Sequence, residues 1–462
     1  MNTFLMTPRP RLLRVLGYSV LALIAVAINV ALAHVMDVPG LLIANTFATP
    51  SWVMRKAVAR LVNRTVFGSS ACCNRSYDDE FVQKGVKMGD TVTGRLPQRY
   101  ELTIGAVCNP TPLTDQTFSV KITDQSNIGF EYDTWAATLE VDDYMERYGN
   151  PAVDTLVNNI DYTGLQRCYK NVAKVVGTPN VTPGSTGTLP QAATLPYGQA
   201  VTKLFNVAVP EPYIAMLNSD MHMYLTQAVQ ASFNPSPTIS AGFRRGEFQN
   251  EVLGIEKWYK TQNIATHTIG ALGGTPVVYL AGQTGASVVC DGAGATAIPG
   301  YFKEGDVVQF AGVYDINPLS HASTGGLKDF VVTADTASIV TTGVVTIPIS
   351  PSIITSGPWA NCSASPANDA AVTCFGHASS YAAIATAQGL IYNKDAFALV
   401  MADLVLPRGL WIAERISNAK LGVSIRMLKD HDTRNDTSIA RLDTAHGWKT
   451  IREELACRIC AA

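Results

Sequence analysis

Residues able to bind metals or attack substrates are few in this chain, and they are scattered. The nearest approach to a metal motif is Cys457-Arg-Ile-Cys460. A zinc site takes about four ligands, and no second cysteine pair has matching spacing. The nine cysteines are Cys72, Cys73, Cys108, Cys168, Cys290, Cys362, Cys374, Cys457 and Cys460. Their odd number and scatter argue against a disulfide framework and for thiols in a reducing compartment. Asp78-Asp79-Glu80 could attract a cation, but consecutive side chains diverge, so a solvated loop is expected. Asp430-His431-Asp432 could form a histidine–carboxylate pair, yet it lies in a charged stretch without partners. His222, His267, His321, His377 and His446 have no neighbours at ligand spacing. Ala281-Gly-Gln-Thr-Gly285 and Gly292-Ala-Gly294 are glycine-rich but lack the lysine and helix of a phosphate loop. No Gly-x-Ser-x-Gly elbow occurs. The sequence therefore assigns no catalytic, cofactor-binding or metal residue and implies no cofactor, which speaks against an enzyme.

The elements that would position any site must come from a chain of 462 residues, long enough for two or three domains. Hydrophobic residues make up 47% and charged residues 16%. Soluble domains carry roughly 25% charged residues, so either a membrane segment inflates the apolar share or partners cover much of the surface. The net charge is −2. No long basic run advertises phosphate neutralisation, so tight nucleic-acid binding is not expected.

Arg9, Arg11 and Arg14 precede an uncharged stretch from Val15 to Val35, long enough to cross a bilayer. Ala31-Leu-Ala33 has the form of a signal-peptidase site. Three readings stand: a start placed upstream of a working one near Met36, a membrane or export segment, or a removable arm.

Residues 41–75 read as an arm with a helix opening at Pro50, in which Val53, Ala57, Leu61 and Val62 fall at helical spacing. Residues 76–140 alternate around Val92 and around Phe118, Val120 and Ile122. They predict a long hairpin, with turns at Gly89-Asp90 and Asp124-Gln-Ser-Asn127. A lone hairpin is marginal in water, so packing on something else, such as another subunit, is expected. Over 141–177 the spacing of Val153, Leu156, Val157, Ile160, Leu165, Cys168, Val172 and Val175 predicts one helix. Asp142 and Asp143 favour its start, Gly177 and Pro179 stop it, and Gly149-Asn-Pro151 and Gly164 are weak points. Residues 178–192 read as a loop. Helices are predicted over 196–208 and 219–232, a buried strand at Tyr213–Leu217, and extended chain over 250–270. Residues 272–388 are rich in Gly, Ala, Thr, Ser and Val, with short strands that suggest a small β-barrel inserted within another domain. Ala396–Met401 starts a short element, Leu421–Met427 is a strand, and Asp430–Asp443 reads as a charged loop.

Several segments resemble, in order, the tailed-phage major capsid proteins of the group with an inserted β-barrel domain. They begin with Ala44-Asn-Thr-Phe-Ala-Thr-Pro50, Val62-Asn-Arg64, Tyr77–Glu80, Lys87–Val92 and Leu96–Tyr100. Tyr259–Asn263 and His267–Gly270 lead into the insertion, where Phe302–Asp306, Phe310–Tyr314, Asn317-Pro318, Ser323–Leu327 and Phe330–Val332 are similar. Asn393–Phe397, Ala402–Leu404 with Pro407, Arg441–Asp443 with Gly447, and Glu454–Arg458 complete the pattern. No single piece is specific; their order across 44–460 is.

The resemblance implies an α+β tailed-phage capsid fold: N-terminal arm, extended β-hairpin loop, spine-helix peripheral domain, axial domain and inserted small β-barrel. The implied division is 1–40 outside the fold, 41–75 arm, 76–140 extended loop, 141–271 spine helix and axial domain, 272–388 barrel, and 389–462 the return. The implied role is a self-assembling shell subunit of the virion, built in the bacterial cytoplasm. Its implied partners are copies of itself in hexamers and pentamers, scaffolding protein and portal protein. The shell encloses double-stranded DNA without sequence-specific binding, and a membrane is not among the partners. Two alternatives stay open: a membrane-anchored or exported β-rich surface protein, resting on residues 15–35, and a cellular nanocompartment shell protein.

Overall fold

Pro50 opens the first helix, as the sequence predicts. Its fixed φ and missing N–H suit a first-turn position, and α1 (Pro50–Arg64) follows. The computed structural model describes residues 50–75, 91–100, 102, 115–133, 149–177, 195–230, 253–292, 298–337, 343–376, 385–418 and 423–460. The apolar segment within 1–40 lies outside them; among the described residues no helix is long and apolar enough to cross a membrane. The chain divides into two units, Met1–Trp52 and Val53–Ala462, and everything below concerns the second. Ala57, Val58 and Leu61 are the buried face of α1.

β1 (Thr91–Arg95) and β2 (Thr117–Lys121) pair antiparallel, Thr91 opposite Lys121 and Arg95 opposite Thr117. The sequence asks for another surface to support this ribbon. Part of the support comes from the chain itself, because Phe118 and Val120 pack on Val400 with Leu96, Ile122 and Ile451 beside them. Asp124–Asn127, read as a turn, instead starts β3 (Asp124–Asp133), whose partner is the long strand near the C-terminus.

α2 (Asn150–Cys168) is the predicted long helix with different limits. Gly149-Asn-Pro151 is its start, not a weak point within it, and Pro151 occupies the first turn. It ends at Cys168 and a 3-10 turn over Tyr169–Asn171. Val172 and Val175 therefore leave the helical stripe; Val175 begins β4 (Val175–Gly177), which pairs parallel with the last strand of the chain. Helical spacing cannot outweigh that long-range pairing, and β-branched valine suits a strand. Asp142, Asp143 and Pro179 lie outside the described residues. The helix runs unbroken through Gly164. A Cβ there would run into the Trp448 indole, and the missing side chain lets Trp448 Nε1 donate to the Ile160 carbonyl at 3.0 Å. Arg60 joins α1 to α2 through two 2.7 Å hydrogen bonds to Asp154. The Asp161 carboxylate accepts the N–H groups of Val66 and Gly68 at 2.8 and 3.0 Å.

α3 (Leu195–Asn206), β5 (Ile214–Leu217) and α4 (Ser219–Gln230) stand close to their predicted positions. β6 (Lys257–Lys260) and β7 (Thr266–Thr268) are the extended chain that follows.

The barrel contains β8 (Val277–Val278), β9 (Gly285–Asp291), β10 (Val307–Phe310), β13 (Phe330–Val332), β14 (Val345–Ile353) and β15 (Val372–Cys374); β11 (Tyr314–Ile316) and β12 (Ser323–Leu327) form a side ribbon. The strand order is β15-β10-β13-β14-β9-β8. Val278 N–H donates to Ala370 O at 2.9 Å and Val372 N–H to Pro276 O at 3.0 Å. These bonds return β8 to the vicinity of β15 and leave few open edge groups. Val288, Val308, Phe310, Phe330, Val332 and Ile347 fill a core separate from the main one.

After the barrel come β16 (Ala385–Tyr392), β17 (Phe397–Ala402), β18 (Ile412–Asn418), β19 (Val423–Asp432), β20 (Thr437–Thr450) and β21 (Ala456–Cys460). The main sheet runs β4-β21-β16-β5-β6, with β7 also on β16. A second sheet runs β17-β20-β19-β18, with β3 also on β20. Asp430–Asp443 is thus a hairpin and not a loop. Its composition misleads because the charges are paired: Arg426 and Arg441 both bind the buried Asp443, and Asp432 accepts the Arg434 N–H and the Asn435 side chain in the turn.

Trp448 holds the second sheet on α2 and stacks on Phe67 with ring centroids 4.6 Å apart. Gly164→Ala should cost about 1–3 kcal/mol through overpacking, read as a lower urea midpoint.

Candidate functional site at the barrel seam

The barrel leaves the main sheet after β7 and returns before β16. Two chain crossings cannot by themselves set its orientation. Polar contacts do so, and they centre on two carboxylates. Asp306 is fully buried: Oδ1 lies 2.7 Å from His267 Nε2, and Oδ2 accepts the N–H groups of Gly270 (3.1 Å) and Lys303 (2.8 Å). His267 Nδ1 is 3.3 Å from the Tyr169 hydroxyl at the end of α2. Asp329 receives Lys203 Nζ of α3 at 2.6 Å on Oδ2 and Gln309 Nε2 at 2.6 Å on Oδ1. Lys203 also donates to Val175 O at 2.9 Å. Burial opposes the Lys203 charge, but Asp329 together with Cys457 and Asp315 outweighs it and raises the pKa.

Arg458, in the middle of β21, reaches across and donates from Nη1 to Gly305 O at 2.9 Å; its guanidinium lies 5.8 Å from the Tyr169 ring centre. Its Nε and Nη2 have no partner among the described residues, and burial lowers its pKa. Val175, Val307 and Cys460 form the apolar part of the seam, with Phe375 against them. Lys174 Nζ donates to Glu454 O at 2.6 Å, and burial pushes its pKa down to about 8. Ser350 of β14 donates to Glu453 at 2.9 Å.

A cavity of about 10 Å³ lies in the seam, lined by His267, Asp306, Gln388, Arg458 and Cys460 among others. That is about the size of one water. A larger open cavity of about 430 Å³, bordered by Arg64, Asp154, Asp161, Lys260 and Gln262, has no histidine or cysteine in its wall. The seam can hold two bodies in register; it does not bring a nucleophile, a base and substrate space together.

Of the residues singled out by sequence, His267 and Cys460 line the same seam cavity; among the described residues the others do not converge. Cys457 and Cys460, three apart on a strand, point to opposite faces. Their thiols are pushed up to about 12 and about 11 by burial and donate to Arg458 O and Gln388. No group of three potential metal ligands occurs among the described residues. Asp78, Asp79, Glu80 and His377 lie outside them. Asp430-His431-Asp432 sits on a strand end, where His431 Nδ1 is 3.2 Å from Ser438 Oγ. Gln283, in the first glycine-rich stretch, closes its own loop through hydrogen bonds to Val289. Of the seam's residues the sequence offers only His267 and Cys460 as candidates, although Lys174 within Val172–Val176 and Arg458 within Leu455–Cys460 are charges in apolar runs, which is a readable signal of a buried, partnered charge.

His446, fully buried in β20 opposite Asp124 and Met401, has no partner for either ring nitrogen among the described residues. Burial pushes its pKa down from 6.5 to about 4. The unfolded chain takes up the proton first, so this contribution is complete above pH 6.5 and is lost as pH falls towards 4. At about 1.4 kcal/mol per unit, the loss is roughly 3 kcal/mol. Urea titrations from pH 7 to 4 should show it in the native chain and not in His446→Leu.

A double-mutant cycle tests the seam. Asp306→Ala should cost about 3–5 kcal/mol, and with His267→Ala the two effects should fall short of additivity by about 1–3 kcal/mol, read from urea midpoints.

The family model described as P22 coat protein, gene protein 5, matches residues 103–457. No curated protein matches the chain. Among solved structures, one from Mycobacterium phage Che8 is 12% identical with a TM-score of 0.43, over 86% of this chain and 90% of that one. The capsid structure of the cyanophage P-SCSP1u is 10% identical with a TM-score of 0.42, over 82% and 85%. The mature capsid of bacteriophage PhiM1 is 9% identical with a TM-score of 0.39, over 81% and 82%. The weight rests on the sequence match.

Proposed function

This chain belongs to the P22 coat protein family, and from that premise we infer that it is the major capsid protein of a tailed phage, a structural subunit that assembles with its own copies into the head shell of the virion. The observation that carries this is the family match over residues 103–457, which spans the spine helix, both sheets and the barrel.

The mechanism is mechanical and not catalytic. Each subunit offers extended and apolar surface to several neighbours, and many weak contacts sum through symmetry and effective concentration. Leu102, 83% exposed beside the β1–β2 ribbon, and Val405 and Trp411, 79% and 63% exposed between β17 and β18, suit burial against other copies. The segment carrying Val405 is tied down: Arg426 Nη1 donates to Val405 O at 2.6 Å and Arg415 Nη1 to Leu404 O at 3.1 Å.

In this reading the arm is 41–75, the extended loop 76–140, the spine and axial region 141–271, the barrel 272–388 and the return 389–462. Subunits close into hexamers and pentamers around scaffolding protein and a portal in the host cytoplasm, and the shell then encloses double-stranded DNA without sequence-specific contacts. A net charge of −2 suits an enclosing wall that does not grip phosphates.

Co-expression of the full chain, and in parallel residues 36–462, with a scaffolding protein should yield closed shells by electron microscopy. Small monodisperse particles under every condition would count against the reading.

A further inference from the structure

Arg458 is the largest polar side chain sealed inside this chain, 1% exposed in the middle of β21. It shares a strand face with Cys460, and Cys460 packs on Val175 and Val307 at the seam. Nη1 is used, on Gly305 O. Nε and Nη2 have no partner among the described residues. Those two N–H groups lie along one edge of the guanidinium plane and point side by side at one place. Burying such a fork unsatisfied is costly.

The seam cavity of about 10 Å³ lies where the fork can use it, with Arg458, Asp306, Gln388 and Cys460 in its wall. The wall also holds acceptors with capacity left. Asp306 Oδ1 takes one hydrogen bond, from His267, and Oδ2 takes two, from Gly270 and Lys303. A carboxylate has about four acceptor positions, so Oδ1 can take one more donor. Gln388 Oε1 accepts the Cys460 thiol at 3.4 Å, and a carbonyl oxygen has a second lone pair.

We propose that the seam cavity is a binding site for a single water molecule, which accepts the Nε–H and Nη2–H of Arg458 and donates toward the acceptors left on Asp306 and Gln388. Size excludes a further carboxylate, because the space holds about one water. A halide ion accepts hydrogen bonds but donates none, and it would face the Asp306 carboxylate. Arg458 and Asp306 already balance in charge. Water alone accepts on the cationic side and donates on the anionic side, and the wall offers the two to four polar partners a buried water takes. Asp306 comes from the barrel, Gln388 and Arg458 from the main sheet, so the water is held only while the barrel is seated. The site is a property of this chain's seam and does not depend on the shell reading.

A high-resolution structure of the full chain, free or assembled, should show one oxygen-sized peak within about 3.2 Å of Nε or Nη2. No peak there, at a resolution that shows other buried waters, overturns the site. Urea titration tests it in solution. Val307→Ile adds a methylene to the cavity wall, displaces the water and strands the fork. The folding constant should fall about tenfold or more. In an Arg458→Met background no fork is left to strand, and the same substitution should change the constant less than about threefold. Equal losses in both backgrounds mean plain overpacking and reject the water. A gain in the native chain, the result for a dry cavity, rejects it even if Arg458→Met fails to fold. Exchanging chloride for gluconate at constant ionic strength should leave the urea midpoint in place. A midpoint that rises with chloride assigns the fork to an anion and overturns the proposal. None of these outcomes bears on shell formation, which electron microscopy reads separately.

Discussion

A carboxylate taken out of water must find fixed donors or it will not stay ionised. Asp306 and Asp329 are two such groups, and the arrangement of the molecule follows from satisfying them. Asp306 draws on His267 of β7 and on backbone N–H groups at both ends of the barrel entry. Asp329 draws on Lys203 of α3 and Gln309 of β10. Neither set of donors exists in the barrel alone or in the main sheet alone. The barrel therefore has one seat, and leaving it strands charge. Apolar contact between Val175, Val307 and Cys460 adds adhesion but little direction.

The same logic orders the second sheet. β20 is fourteen residues long and changes neighbours along its length, from β3 and β19 to β17. Asp443 satisfies two arginines there, while Trp448 docks the sheet on α2 through the space Gly164 leaves. The spine helix, the second sheet and the buried face of α1 at Ala57, Val58 and Leu61 become one support under the ribbon. That support suits a shell subunit, whose protruding parts must carry load between copies. It also gives a use to the low charge content of 16%, since surface covered by neighbours has less need of charge.

Much of this was legible in the residues. Pro50 marks the start of α1, alternation around Phe118 and Val120 marks the ribbon, and the Gly/Val/Thr-rich stretch marks the barrel. The ordered run of segments from Ala44 to Arg458 pointed to the coat proteins. Two local readings failed for one reason: Asp124–Asn127 and Val175 each belong to strands whose partners lie far along the chain, whereas Asp430–Asp443 is a local hairpin disguised by charges that are paired in the fold. Composition and spacing see only neighbours in sequence, and backbone pairing across hundreds of residues overrides them.

By itself the sequence determined most of the element types, the inserted β-rich region and the family, because these rest on local periodicity and on the order of short segments. The tertiary structure alone decided which charges meet. Asp306 and His267 are 39 residues apart, Lys203 and Asp329 are 126, and Ser350 and Glu453 are 103. A hydrogen bond depends on distances of a few ångströms in space, and nothing in the spacing of these residues along the chain encodes them.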